Sequence, residues 1–149
     1  MFTALAIVTA TVVGIMVGVE FAVAVFINPV LLRSPAVSLE AGPQFARILG
    51  RVMPFWYLAS LVLTIAVAVA LWGAPASVWA VTAAILLAVS VIMSIALLVP
   101  INNRAKTWTA SDHPDDWHEQ QQRWHALHYV RVAIIVAAFV FTLLAVVHG

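Results

Sequence analysis

A 149-residue chain with 64% hydrophobic and 9% charged side chains, and a mean hydropathy of +1.07, is too apolar for a water-soluble domain and reads as an integral membrane protein. A net charge of +1 offers no basic face to a nucleic acid, and the lack of cysteine excludes disulfides, thiolate metal sites and thiol nucleophiles. Apolar runs at about residues 4–32, 53–72, 77–99 and 129–147 each meet the ~20 residues that a spanning helix needs. The expected fold is therefore all-α, one four-span transmembrane bundle over residues 1–149.

The first run contains Ala22-Val23-Ala24, which has the small-x-small form of a leader cleavage site. No Lys or Arg precedes the run, and it exceeds the ~7 to 15 apolar residues of a leader core, so it reads as a retained helix. Glu20 lies deep within it, where a lone carboxylate is costly unless protonated, paired or hydrated. Gly14 and Gly18 form a GxxxG, nearly opposite Glu20, that permits close helix contact and suggests a route to a homo-oligomer. Asn28-Pro29 comes next, where proline kinks or closes the helix.

In the first loop, residues 44–52 are amphipathic, with Phe45, Ile48 and Leu49 set against Arg47 and Arg51, and predict an interfacial helix separate from the spans. Phe55-Trp56-Tyr57 opens the second span as an aromatic cluster at headgroup level. Ser60 and Thr64, like Ser90 and Ser94 in the third span, suit hydrogen bonding between helices. The third helix is expected to stop at Pro100-Ile101-Asn102-Asn103, leaving two amides at its mouth.

After the turn at residues 111–116, Asp115 or Asp116 is placed to cap a helix with Glu119 in its first turn. That fourth helix starts above the membrane and continues into it. Trp117, Gln121, Trp124, His128 and Arg131 fall within an arc of roughly 80° on it, one stripe running into a purely apolar segment. Every basic residue (Arg33, Arg47, Arg51, Arg104, Lys106, Arg123, Arg131) lies in the first or third loop or at an adjoining helix end, so the positive-inside rule puts the large loops in the cytoplasm and both termini outside.

Pro100-Ile101-Asn102-Asn103, the W-x-x-x-H-x-x-R of Trp124, His128 and Arg131, and the early Asn28-Pro29 together resemble the small four-helix membrane proteins of the anthrone oxygenase-like family, over essentially the full length. The resemblance implies oxidation of an anthrone, a lipophilic polycyclic phenol, to its quinone by dioxygen. It carries Asn102, Asn103, Trp124, His128 and Arg131 over as the polar signature.

The chemistry begins with loss of a proton from the carbon opposite the carbonyl, and an unperturbed histidine, at ~6.5, suits that step. In this reading His128 is the base, Arg131 with Asn102 and Asn103 stabilises the oxyanion, and Trp117 and Trp124 stack on a planar substrate that arrives from the bilayer. Glu20 orients His128 or relays its proton, and Asn28 and Gln121 complete the substrate-binding set.

No cofactor is required by this reading. A di-iron bundle needs more carboxylates than Glu20 alone, and helices 1 to 3 hold no histidine for a bis-histidine haem. A single metal ion on His125, His128 and Glu20 stays open as an alternative. So does a different class of function, a non-enzymatic membrane protein that binds a quinone or lipid or serves as an accessory subunit.

Overall fold

The apolar runs form helices longer than the spans expected of them. A computed structural model, which describes residues 1–149, has four: α1 (Phe2–Arg33), α2 (Pro35–Ala70), α3 (Ser77–Ala105) and α4 (Trp117–His148), each long and apolar enough to cross a membrane, with no strand. The chain is a multi-pass integral membrane protein of the expected all-α class. At ~1.5 Å per residue α2 is about 54 Å long against a hydrocarbon core of ~30 Å, so part of it projects beyond the bilayer.

The helices run up and down in a closed ring, each packed on the next and α4 back on α1. Extended Ser34 separates α1 from α2, and Gly73, at φ 85°, supplies the left-handed residue of the tight turn into α3. Phe2 and Leu5 pack with Leu71, Ala76 and Ala145, so both termini and the α2–α3 turn share one end of the bundle. The Ser34 break and the 106–116 loop, with Arg33, Arg47, Arg51, Arg104, Lys106 and Arg123, lie at the other. Val13, Met16, Leu87, Ile135 and Ala138 fill the middle, while Ile7, Ile15, Phe26, Val62, Ile85 and Ile92 cover the outside with the apolar surface that a bilayer requires.

Several local expectations change. Residues 44–52 are helical but not a separate interfacial helix, because α2 runs unbroken through Pro43 and Pro54. Each proline forgoes one backbone hydrogen bond, and bonds to neighbouring helices hold the segment in place. Gln121 donates to Ser38, Asn102 Nδ2 to the Ala46 carbonyl at 3.3 Å, and Arg47 Nη2 to the Lys106 carbonyl at 2.9 Å.

The aromatic cluster is consequently no surface belt. Trp56 Nε1 donates to the Val12 carbonyl of α1 at 3.0 Å and Tyr57 is buried; only Phe55 faces outward. The GxxxG pair is also divided. A Cβ on Gly14 would stand 3.1 Å from Phe139 Cζ, so Gly14 serves the contact of α1 with α4, whereas Gly18 faces open space.

Pro29 and Pro100 do not end their helices, which continue to Arg33 and Ala105. Each comes after a π-turn, Val23–Ile27 in α1 and Ser94–Leu98 in α3, that widens the helix beneath the proline ring. The extra residue rotates the remainder of the helix by ~100°. Glu20 and Asn28, eight residues apart and about 80° out of register on a regular helix, are thereby both turned inward, and both are buried.

Candidate functional site

Toward the loop end the four helices diverge around a cavity of about 470 Å³, within the ~300–1,000 Å³ of small-molecule sites. The loop-side ends of α1 and α3, from just before their π-turns onward, supply two walls, and α2 from Ser38 to Leu61 and α4 from Gln121 to Arg131 supply the others. Most of the lining is apolar. Its exposed apolar parts, Phe45, Pro54 and Leu58 on α2 and Ile95 and Val99 on α3, lie on two neighbouring helices.

At its inner end the polar residues form one network. Arg131 Nη2 donates to Glu20 Oε2 at 2.6 Å and lies 3.0 Å from His128 Nδ1, while Nη1 donates to Ser94 Oγ at 3.0 Å. The guanidinium carbon stands 5.3 Å from the centroid of the Tyr57 ring, a cation–π contact. Ser94 can accept because its own hydrogen goes to the Ser90 carbonyl, at 2.7 Å. Glu20 thus balances the guanidinium in the bundle interior, which answers the cost of a carboxylate at that depth.

The same contacts fix His128. A guanidinium N–H only donates, so Nδ1 accepts, and Nε2 carries the hydrogen and gives it to the Glu20 carbonyl at 3.3 Å. One face of the imidazole is covered by Trp124, stacked at 4.8 Å and 12°. His128 is fully buried with both nitrogens engaged.

Of the residues expected at the site, Glu20, His128 and Arg131 meet directly, and Asn28, Asn102, Asn103, Gln121 and Trp124 join them in the cavity wall. Trp117 does not. It begins α4 beside His113 and His118, above the cavity, because its position on the stripe is two turns nearer the loop than Trp124. Asn102 and Asn103 stand at the mouth with bonds already made, Asn102 to Ala46 and Asn103 Oδ1 to Lys106 Nζ at 3.1 Å; α3 continues past both to Ala105. Asp116 is the N-cap residue of α4, but its carboxylate accepts from Gln120 and not from the backbone. The metal alternative does not assemble, since no three His, Asp or Glu side chains converge to hold an ion.

Several wall residues carry no signal in the sequence that marks them as site residues. Tyr57, Ser94, Ser38 and Trp108 line the cavity, and so does His125, which enters the sequence reading only as a metal ligand. Six residues of the wall have buried polar atoms with no partner: Asn28 Nδ2, Tyr57 OH, Gln121 Oε1, Trp124 Nε1, Arg131 Nε and both ring nitrogens of His125.

Residues 45–141, nearly two thirds of the chain, match the anthrone oxygenase family. The chain belongs to that family. For an anthrone oxygenase family member the matched stretch takes in most of α2, all of α3 and the part of α4 that carries Trp124, His128 and Arg131, whereas Glu20 and Asn28 lie on α1 outside it. No curated relative and no solved structure matches the chain.

Proposed function

We propose that the protein is a membrane oxygenase that oxidises a lipophilic polycyclic phenol of the anthrone type with dioxygen in this cavity. One observation carries the reading: an apolar cavity with three unpartnered atoms in its wall that can only donate. Asn28 Nδ2, Trp124 Nε1 and Arg131 Nε can only donate, so the complementary ligand is apolar with acceptor oxygens at its edge. A hydroxylated anthrone, its phenolate-like anion and the product quinone all answer that description.

Proton loss from the carbon opposite the carbonyl spreads negative charge onto the oxygen. Arg131, permanently charged and held rigidly by Glu20, Ser94 and Tyr57, is a preorganised counter-charge for it. A buried histidine takes the proton, and dioxygen accepts the electrons. A substrate dissolved in the bilayer enters between α2 and α3, where the exposed apolar lining lies.

The test is oxygen uptake by purified protein in lipid nanodiscs with 1,8-dihydroxyanthrone. Uptake above the spontaneous rate, matched one to one by quinone and surviving chelator treatment, is expected. Tight quinone binding with no protein-dependent uptake would make the protein a binder and not an oxygenase.

We further propose that the loop end of the bundle, with all of the exposed basic residues, is cytoplasmic. Reporter fusions at Ala74 and Gly149 should then read outside, and fusions at Asp112 cytoplasmic. The opposite pattern would reverse the orientation.

A further inference from the structure

We propose that His125, and not His128, is the side chain that accepts the substrate proton, and that Asn28 is the donor that holds the substrate oxygen. The proposal rests on the reading of the ligand as a polycyclic phenol and assigns the two groups of the wall that act on it.

His128 is poorly set for proton transfer. Its Nε2 already carries a hydrogen, and a proton added at Nδ1 would have to displace the Arg131 contact and compete with Arg131 for the one Glu20 carboxylate oxygen, 3.4 Å from Nδ1. Trp124 covers one of its faces. Its contacts make it a positioning residue that holds Arg131 and Glu20 in register.

His125 is one turn nearer the mouth, roughly 4.5 Å along the helix axis. It is 3% exposed and lines the cavity, edge-on to Trp124 at 5.4 Å and 84°, and neither ring nitrogen has a partner. An imidazole in that state has a free lone pair to offer a bound ligand. Asn28 is 1% exposed and reaches the cavity from α1, turned inward by the π-turn, with Nδ2 unpartnered. Two unrelated helices therefore each present a buried polar group with nothing to bind except what occupies the cavity.

In the step assigned to them, the C–H bond opposite the carbonyl breaks and the proton goes to the neutral nitrogen of His125. The electron pair moves into the ring system and rests on the oxygen that accepts from Asn28. Dioxygen is the oxidant: it takes up the electrons and forms a C–O bond at the same carbon, and the proton on His125 returns to the resulting peroxide. Loss of the second C–H hydrogen with cleavage of the O–O bond leaves a carbonyl and one water, so a methylene and dioxygen become a quinone carbonyl and water.

Proton transfer can be read without oxygen. Under anaerobic conditions in deuterated buffer, the nanodisc protein should accelerate exchange of the methylene hydrogens of 1,8-dihydroxyanthrone. His125→Gln should lose ~100- to 10,000-fold of that exchange while binding 1,8-dihydroxyanthraquinone, followed by tryptophan quenching, within about threefold of the parent. Asn28→Ala should weaken quinone binding by about tenfold, the worth of one buried hydrogen bond. His125→Asn is the second variant should His125→Gln elute as an aggregate. Exchange by the His125 variants within a few fold of the parent, or full quinone affinity in Asn28→Ala, overturns the assignment. Catalysed exchange without oxygen uptake would leave His125 in place and overturn the oxygenase reading alone.

Discussion

Glu20→Ala should destabilise the protein by about 3–5 kcal/mol, because it leaves the Arg131 charge buried with no counter-ion. The 2.6 Å contact of Arg131 Nη2 with Glu20 Oε2 joins the only buried carboxylate and the only buried guanidinium of the bundle. Water cannot replace the lost partner cheaply at that depth. Glu20→Gln, which keeps an acceptor oxygen for the guanidinium, should cost less. The double variant Glu20→Ala with Arg131→Met should recover much of the loss, since neither charge then remains to be balanced. Thermal unfolding in one detergent, read by tryptophan fluorescence across the cycle, checks this. Additive losses in the double variant would mean that the two side chains do not stabilise each other.

That pair shows how far the sequence can be read. The depth of Glu20 demands a partner, and periodicity places Arg131 and His128 on one stripe of α4, so three members of the network are legible from the residues alone. Asn28 is visible as a polar residue, but its register with Glu20 is not: a 3.6-residue period leaves the two about 80° apart, and only the π-turn at Val23–Ile27 brings them together. Ser94 is visible in the sequence as a hydroxyl suited to bonding between helices, but its place as the acceptor for Arg131 Nη1, at the start of the second π-turn, is not. Nothing in a hydropathy pattern marks such a turn except the proline two residues beyond it.

His125 enters the sequence reading as a metal ligand and not as a base for a different reason. The spacing Gln121, His125, His128 matches the i, i+4, i+7 of a helix face as well as Gln121, Trp124, His128 does. Attention to the W-x-x-x-H-x-x-R pattern favours the second, and the structure buries both histidines. Trp117 fails in the opposite sense, since a shared face does not mean a shared height along a helix that projects past the cavity. Residues 44–52 mislead in a third way. Their amphipathic pattern suggests a separate interfacial helix, yet α2 passes through them and through Pro43 and Pro54, with contacts from α3 and α4 to its projecting half.

Arg131→Lys should lower anthrone turnover by about 100- to 1,000-fold with the fold intact, the scale of losing a preorganised donor to a developing oxyanion. The substitution keeps the positive charge, so the Glu20 counter-ion stays balanced. A single ammonium cannot reproduce the planar fork that reaches Glu20 and Ser94 together, rests on Tyr57 and leaves Nε for a ligand oxygen. The charge would survive while its geometry is lost, so the effect should fall mainly on the rate and much less on the affinity for 1,8-dihydroxyanthraquinone, whose oxygens carry no full charge. Steady-state oxygen uptake against substrate concentration, together with quinone titration by tryptophan quenching, separates the two effects. A variant that folds, binds the quinone and turns over within a few fold of the parent would reduce Arg131 to the counter-ion of Glu20 and take the electrostatic part of the proposed mechanism away from it.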